Sequence, residues 1–198
     1  MIDILTDLPA KPPSIYVDIE GVRLLRKGSI SILQLYVLPN DHTYLVDVHQ
    51  LQDIAFITTG KKLHKCPKAI LKSEDITKVF FDLRNDSDAL FYHIQISLAR
   101  VDDIRLMELA TRVNFDASMT TAEKRIWAAK KENGLKMFLP EKGGQYEVFN
   151  DRPLADEIIR YCVQDVRFLP RPWSLYRERI SIPWTSKVRT AEGRMSLS

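Results

Sequence analysis

Short apolar runs that alternate with polar positions open the chain, and they give way to longer stretches of helical period. Ser14 to Glu20 (Ser-Ile-Tyr-Val-Asp-Ile-Glu) is rich in β-branched residues and predicts a strand that ends at Gly21. A second run, Ser29 to Leu38, stops at Pro39-Asn40-Asp41, and Thr43 to Val48 makes a third. Turn residues between such short runs predict a meander of three antiparallel strands. From Leu51 the period lengthens. Lys78 to Phe81 predicts a short buried strand, Asp86 to Tyr92 a helix, Gln95 to Val101 another strand and Asp103 to Val113 another helix. Three strands followed by alternating helices and strands predict an α/β fold, a mixed sheet with helices on both faces. No internal repeat is present.

The C-terminal half is more polar. A helix is expected around Thr121 to Glu132, then an irregular segment containing Gly143-Gly144. For the last helix, Asn150 or Asp151 can cap, Pro153 suits the first turn, and Asp156-Glu157 complement the positive helix end. Pro170 and Pro172 should bend or stop it. Residues 1–13 then form a proline-containing lead-in, 14–180 the domain, and 181–198 a basic Ser/Thr-rich tail that should be loosely ordered.

A chain of 198 residues with 45% hydrophobic content can bury one substantial core. Its 29 basic and 26 acidic residues leave a net charge of +3, so charge placement, and not net charge, must indicate any nucleic-acid partner. The N-terminus carries acids where a secretory signal carries basic residues, and no stretch approaches the roughly 18 apolar residues of a membrane span. The expected setting is soluble and intracellular, in nucleus or cytoplasm. Cys66 and Cys162 are far apart and predict reduced thiols; His64 and Cys66 alone are too few to hold zinc.

Three elements carry candidate chemistry. Asp18 and Glu20, two apart on a strand, leave the same face, while Val17 and Ile19 point to the other. An arbitrary Asp-x-Glu is usually a solvated strand face, but on a central, buried strand unpaired anions are costly and a cation is the usual remedy. Asp86 and Asp88 open a helix after the fourth strand, where acids are commonplace as caps. Tyr161 and Asp165, four apart, stack on one face of the last helix, a spacing that is equally ordinary in core packing.

Taken together, Val17-Asp-Ile-Glu-Gly21, Lys78-Val-Phe-Phe-Asp-Leu-Arg-Asn-Asp86 with Leu90 following, and Tyr161-Cys-Val-Gln-Asp165-Val-Arg-Phe-Leu169 resemble the DEDD superfamily of 3′→5′ exonucleases. The resemblance is to its tyrosine-containing branch, which includes ribonuclease D, and in wording it is closest to Egalitarian-type exonuclease-domain-like proteins. Ile32-Leu-Gln-Leu35 is similar to the family's Leu-Ile-Gln phrase and Val101-Asp-Asp103 to its Phe-Asp-Thr. The resemblance covers residues 14 to 180 and implies a ribonuclease H-like fold. It also implies two divalent ions, Mg²⁺ or Mn²⁺, held by Asp18, Glu20, Asp86 and Asp165, with Tyr161 orienting the attacking water. Asp88 remains an alternative to Asp86, although alignment on Leu90 favours Asp86. The histidine-containing branch has its His five residues before the last Asp, and here that position is Arg160. Phe81 stands where many ribonuclease D relatives have His, and an accessory helical nucleic-acid domain is not expected within residues 181–198.

The implied reaction trims single-stranded RNA or DNA from the 3′ end, RNA favoured, and releases nucleoside 5′-monophosphates. Candidate strand-binding residues are Lys61, Lys62 and Lys65 in one basic cluster, and Lys124, Arg125, Lys130 and Lys131 around Trp127 in another. Each cluster reads equally as a solvated face. The rival function is a nuclease-like scaffold that binds RNA or a protein partner without cutting; a protein partner or a homodimer is a separate expectation. Arg160 or the 140 to 150 loop folding over the acids would occlude the site.

Overall fold

The computed structural model describes residues 1–5, 7–184 and 187–188. A short helix α1 (Ile2–Leu5) leads to β1 (Ile15–Glu20), β2 (Ile32–Val37) and β3 (His42–Asp47), followed by short helices α2 (Val48–Leu51), α3 (Ile54–Ile57) and α4 (Pro67–Leu71). Then come β4 (Lys78–Phe80), α5 (Arg84–Ile94), β5 (Val101–Asp103), α6 (Ile104–Thr111), α7 (Thr121–Phe138), α8 (Asp156–Phe168) and α9 (Pro170–Arg179). The five strands form one sheet in the order β3-β2-β1-β4-β5. β1, β2 and β3 are the expected antiparallel meander, whereas β4 runs parallel to β1 and β5 parallel to β4.

Strand alternation gives the sheet two unlike faces. Ile15, Val17, Ile19, Leu33, Leu35 and Phe80 fill one face, under apolar residues from all five helices α1 to α5, in one continuous core. The other face holds two smaller clusters. Tyr16, Tyr36 and Val79 pack against α6, α8 and α9 through Ile104, Val166 and Tyr176, and Ile32 packs against α7 and α8 through Phe138, Ile158 and Cys162. Between the clusters lie Asp18 and, directly opposite it on β2, Gln34. Gly21 closes β1 because the chain doubles back tightly there: a Cβ would sit 1.9 Å from the Ser29 carbonyl oxygen.

Several expected boundaries move. The strand expected over Gln95 to Val101 is only Val101–Asp103. Ile96 and Leu98 are buried, but Gln95 and Arg100 take left-handed backbone conformations, so the apolar alternation belongs to a loop and not a ladder. The helix expected to end near Glu132 continues to Phe138, opened by a capping box between Thr120 and Glu123. Asn150 accepts a hydrogen bond from the Ser31 hydroxyl at 2.6 Å instead of capping α8, which begins at Asp156 without a side-chain cap. Asp156 and Glu157 do occupy its first turn, and the prolines break the chain into α8 and α9 as expected. The lead-in is docked on the core through Leu5. Of the tail, 182–184 and 187–188 are helical and Val188 is buried; the expectation of loose order for residues 185–186 and 189–198 lies outside the described residues. No helix among the described residues is long and apolar enough to cross a membrane.

Candidate active site

β1 and β4 run parallel, so the chain leaving β4 enters α5 beside the end of β1 that carries the acids. This topology is what brings Asp86, in the first turn of α5, near Asp18 and Glu20. From the other side α8 lies across β1, and its i, i+4 spacing turns Tyr161 and Asp165 toward the strand. One carboxylate oxygen each from Asp18, Glu20 and Asp165 lies within 4.8 Å of the others. The groove above them is about 360 Å³ and is lined also by Phe81, Trp127, Lys131, Tyr161 and Leu169.

Crowded anions raise one another's affinity for protons. Burial, then the Asp165 charge, pushes Asp18 up to about 7, opposed by the Lys131 ammonium and the Ile19 backbone N–H. Burial and then the charges of Asp18 and Asp165 hold Glu20 well above the usual carboxylate range, opposed by Lys131 and the Tyr161 hydroxyl. Asp86 is raised by burial first and by Asp18 and Glu20 next. The Tyr161 phenol is raised by burial and the neighbouring carboxylates, so it stays a neutral hydrogen-bonding group. Three converging oxygen donors, two of them on carboxyls that burial and crowding hold back from ionising, could hold a hard divalent cation.

The two candidate acids of α5 differ in setting, and neither belongs to the converging three. Asp88 faces outward to a 2.9 Å ion pair with Arg26, while Asp86 is 5% exposed and turned inward. Asp103 caps α6 and accepts from the backbone N–H groups of Asp82 and Leu83, a structural role. Asp82 pairs with Arg84.

Of the basic candidates, Lys61, Lys62 and Lys65 are exposed between α3 and α4, on the sheet face opposite the acids, because Phe56 and Ile70 anchor those helices in the continuous core. Those three lysines are not among the residues that line the groove over the acids. Arg125 and Lys130 are exposed on α7, with Lys124 half-buried. Lys131 turns inward instead: its ammonium donates to Asp165 Oδ2 at 2.6 Å and to the Tyr161 hydroxyl at 3.1 Å. Arg160 does not cover the site; it pairs with Glu157 on the outer side of α8.

Two positioning residues carry weaker sequence signals. Gln34 is fully buried beside Asp18, its amide short of hydrogen-bonding geometry yet close enough to ease ionisation of the carboxyl. A lone amide in the apolar run Ser31 to Val37 is the signal. Gly134 lets α7 approach α8: a Cβ there would stand 2.3 Å from the Tyr161 ring. Tyr161 is thereby held between Gly134 and an edge-on Phe138, with ring centroids 5.1 Å apart.

A family model described as 3′-5′ exonuclease matches residues 2–176. No curated protein matches the sequence at a significant level. Among solved structures, the chain is similar to RNase D of Trypanosoma brucei in complex with GMP (21% identity, TM-score 0.64, 88% of this chain and 53% of that one). It is similar also to the catalytic core of RRP6 from Trypanosoma brucei (14% identity, TM-score 0.67, 100% and 49%). A third is Brucella melitensis NrnC with bound Mg²⁺ (15% identity, TM-score 0.63, 97% and 86%). At these identities the likeness is one of fold, and the chain spans about half the length of the first two.

Proposed function

We propose, for a chain that belongs to the 3′-5′ exonuclease family, that it trims single-stranded nucleic acid from the 3′ end by hydrolysing phosphodiester bonds, within a domain spanning residues 14–180. The observation that carries this reading is the convergence of Asp18, Glu20 and Asp165 within 4.8 Å beside Tyr161, at the open groove over β1. We assign the chain to the tyrosine-containing branch, with Asp86 as the fourth acid of the set. Divalent ions bound by these carboxylates, Mg²⁺ or Mn²⁺ and two in number, would supply charge neutralisation and activation of water for in-line displacement.

The chain's own residues supply the geometry. Asp18 and Glu20, fixed on a central strand, hold their carboxylates without the freedom of a loop. Tyr161, neutral and clamped by Gly134 and Phe138, presents its hydroxyl beside Glu20, where it can orient the attacking water. Phe81, Trp127 and Leu169 give the groove apolar walls against which a terminal nucleoside can stack, and its lining also holds Arg105, ion-paired with Glu108. Water adds to phosphorus as the 3′ oxygen of the preceding nucleotide leaves, so the product is a nucleoside 5′-monophosphate. RNA is favoured over DNA, with support from Trypanosoma brucei RNase D, a neighbour solved both with GMP and with RNA U12.

The test is degradation of 5′-labelled single-stranded RNA and DNA in Mn²⁺ or chelator, beside Asp18→Ala. A ladder that shortens from the 3′ end, requires Mn²⁺ and is absent in the variant is expected. Binding without cleavage in both proteins would replace this reading with that of a non-cutting scaffold.

A further inference from the structure

The basic residues of α7 divide by helical phase. Arg125 and Lys130 point to solvent, but Trp127, Lys131, Gly134 and Phe138 share the face that meets α8 and the groove. Lys131 alone among the lysines and arginines of that helix reaches the acid cluster among the described residues. Its side chain is 27% exposed and that of Asp165 12%, so this is a sheltered contact and not a surface pair. The ammonium also lies 4.6 Å from the centre of the Tyr161 ring and 5.9 Å from that of Trp127, so the charge sits against two aromatic rings of the groove lining. Close approach of α7 at Gly134, one turn away, fixes this reach.

We propose that Lys131 is a tethered counter-ion of the acid cluster, which holds Asp165 and Tyr161 in place in the metal-free protein and is displaced from Asp165 when a divalent ion binds. This rests on the reading of Asp18, Glu20 and Asp165 as metal ligands. An ammonium 2.6 Å from Asp165 Oδ2 already takes part of that carboxylate's coordinating capacity, and a divalent ion brought to the same carboxylate meets its like charge. A lysine suits the exchange, being a compact charge on a flexible stem that can withdraw along the Trp127 wall. The protein therefore carries an internal competitor for its own metal, which stabilises the empty site and weakens the occupied one.

The experiment is calorimetric titration of the chelator-stripped full chain with Mn²⁺ at pH 8, paired with melting curves, for the wild type, Lys131→Met, Lys131→Arg and Asp18→Asn. Lys131→Met should bind Mn²⁺ about tenfold more tightly, melt lower than wild type in chelator, and recover in saturating Mn²⁺. Lys131→Arg, which keeps the charge, should stay within about twofold of wild type. Unchanged or weaker Mn²⁺ binding by Lys131→Met overturns the counter-ion role. Asp18→Asn separates the two readings: if it abolishes Mn²⁺ binding while Lys131→Met fails to tighten it, only the role of Lys131 falls. If Asp18→Asn binds like wild type, the metal site falls and the counter-ion with it. Should Lys131→Met not fold in chelator, Lys131→Gln purified in Mn²⁺ gives the same comparison of affinities.

Discussion

The two faces of β1 are built from adjacent residues and do opposite things. Val17 and Ile19 sink into an uninterrupted apolar core, whereas Asp18 and Glu20, one step along the same strand, hold open a polar seam that splits the core above them in two. The apolar face gains stability by excluding water, about 1.5–3 kcal/mol for each large side chain buried. The acid face gives up part of that gain, because its carboxylates are pressed together where burial raises their proton affinity. What it obtains is a rigid anionic site, supported from behind by the face that carries no chemistry.

Substitutions on the two faces should therefore give opposite signatures. Asp18→Asn is expected to lower nuclease activity on the order of 10³-fold, about 4 kcal/mol in the barrier, with no loss of melting temperature in chelator. Phe80→Ala, on the apolar face, should cost roughly 3–5 kcal/mol of stability while the folded fraction keeps its activity. Assays of both variants for activity and thermal unfolding would break the comparison if the signatures were exchanged or shared.

The acid face should also make stability depend on pH. The Asp18 carboxyl has a folded pKa of about 7 against an ordinary value of 3.8, so the folded state holds the extra proton between these values. Stability of the chelated protein is thus full below about pH 4 and declines as pH rises to about 7, by up to roughly 1.4 kcal/mol per unit for one such group. Glu20 and Asp86 shift in the same direction. Urea unfolding across pH 4–8 should show the decline in chelator and its loss in saturating Mg²⁺; a flat chelated profile would contradict the crowded-anion account.

The smallest effect sharpens the boundary of the site. Asp88→Asn breaks an exposed pair with Arg26 and should change stability by less than about 0.5 kcal/mol and activity by less than about threefold. Asp86→Asn, in the same assay, should resemble Asp18→Asn.

Much of this architecture is legible in the sequence because strand period is rigid. Asp18 with Glu20, and Tyr161 with Asp165, share faces by spacing alone, and the β1–β3 meander follows from turn residues between alternating runs. Ile96 and Leu98 mislead because burial does not require a ladder, and Asn150 because its side chain is taken by Ser31, a partner 119 residues away. Lys61, Lys62 and Lys65 are evident as a basic cluster, but the side of the sheet they occupy depends on which core Phe56 and Ile70 join. Lys130 and Lys131 are adjacent and chemically identical; only their phase around α7 sends one to solvent and the other to Asp165.

Gly134 turns the spacing of two helices into a hereditary constraint. Every missense change at its codon adds at least one carbon where 2.3 Å separates the backbone's side-chain direction from the Tyr161 ring. The exposed positions of α7, such as Arg125 and Lys130, can drift in charge and size without moving α8. At this one position the mutational landscape is a cliff, and what lies beyond it is not a vacated contact but a displaced tyrosine.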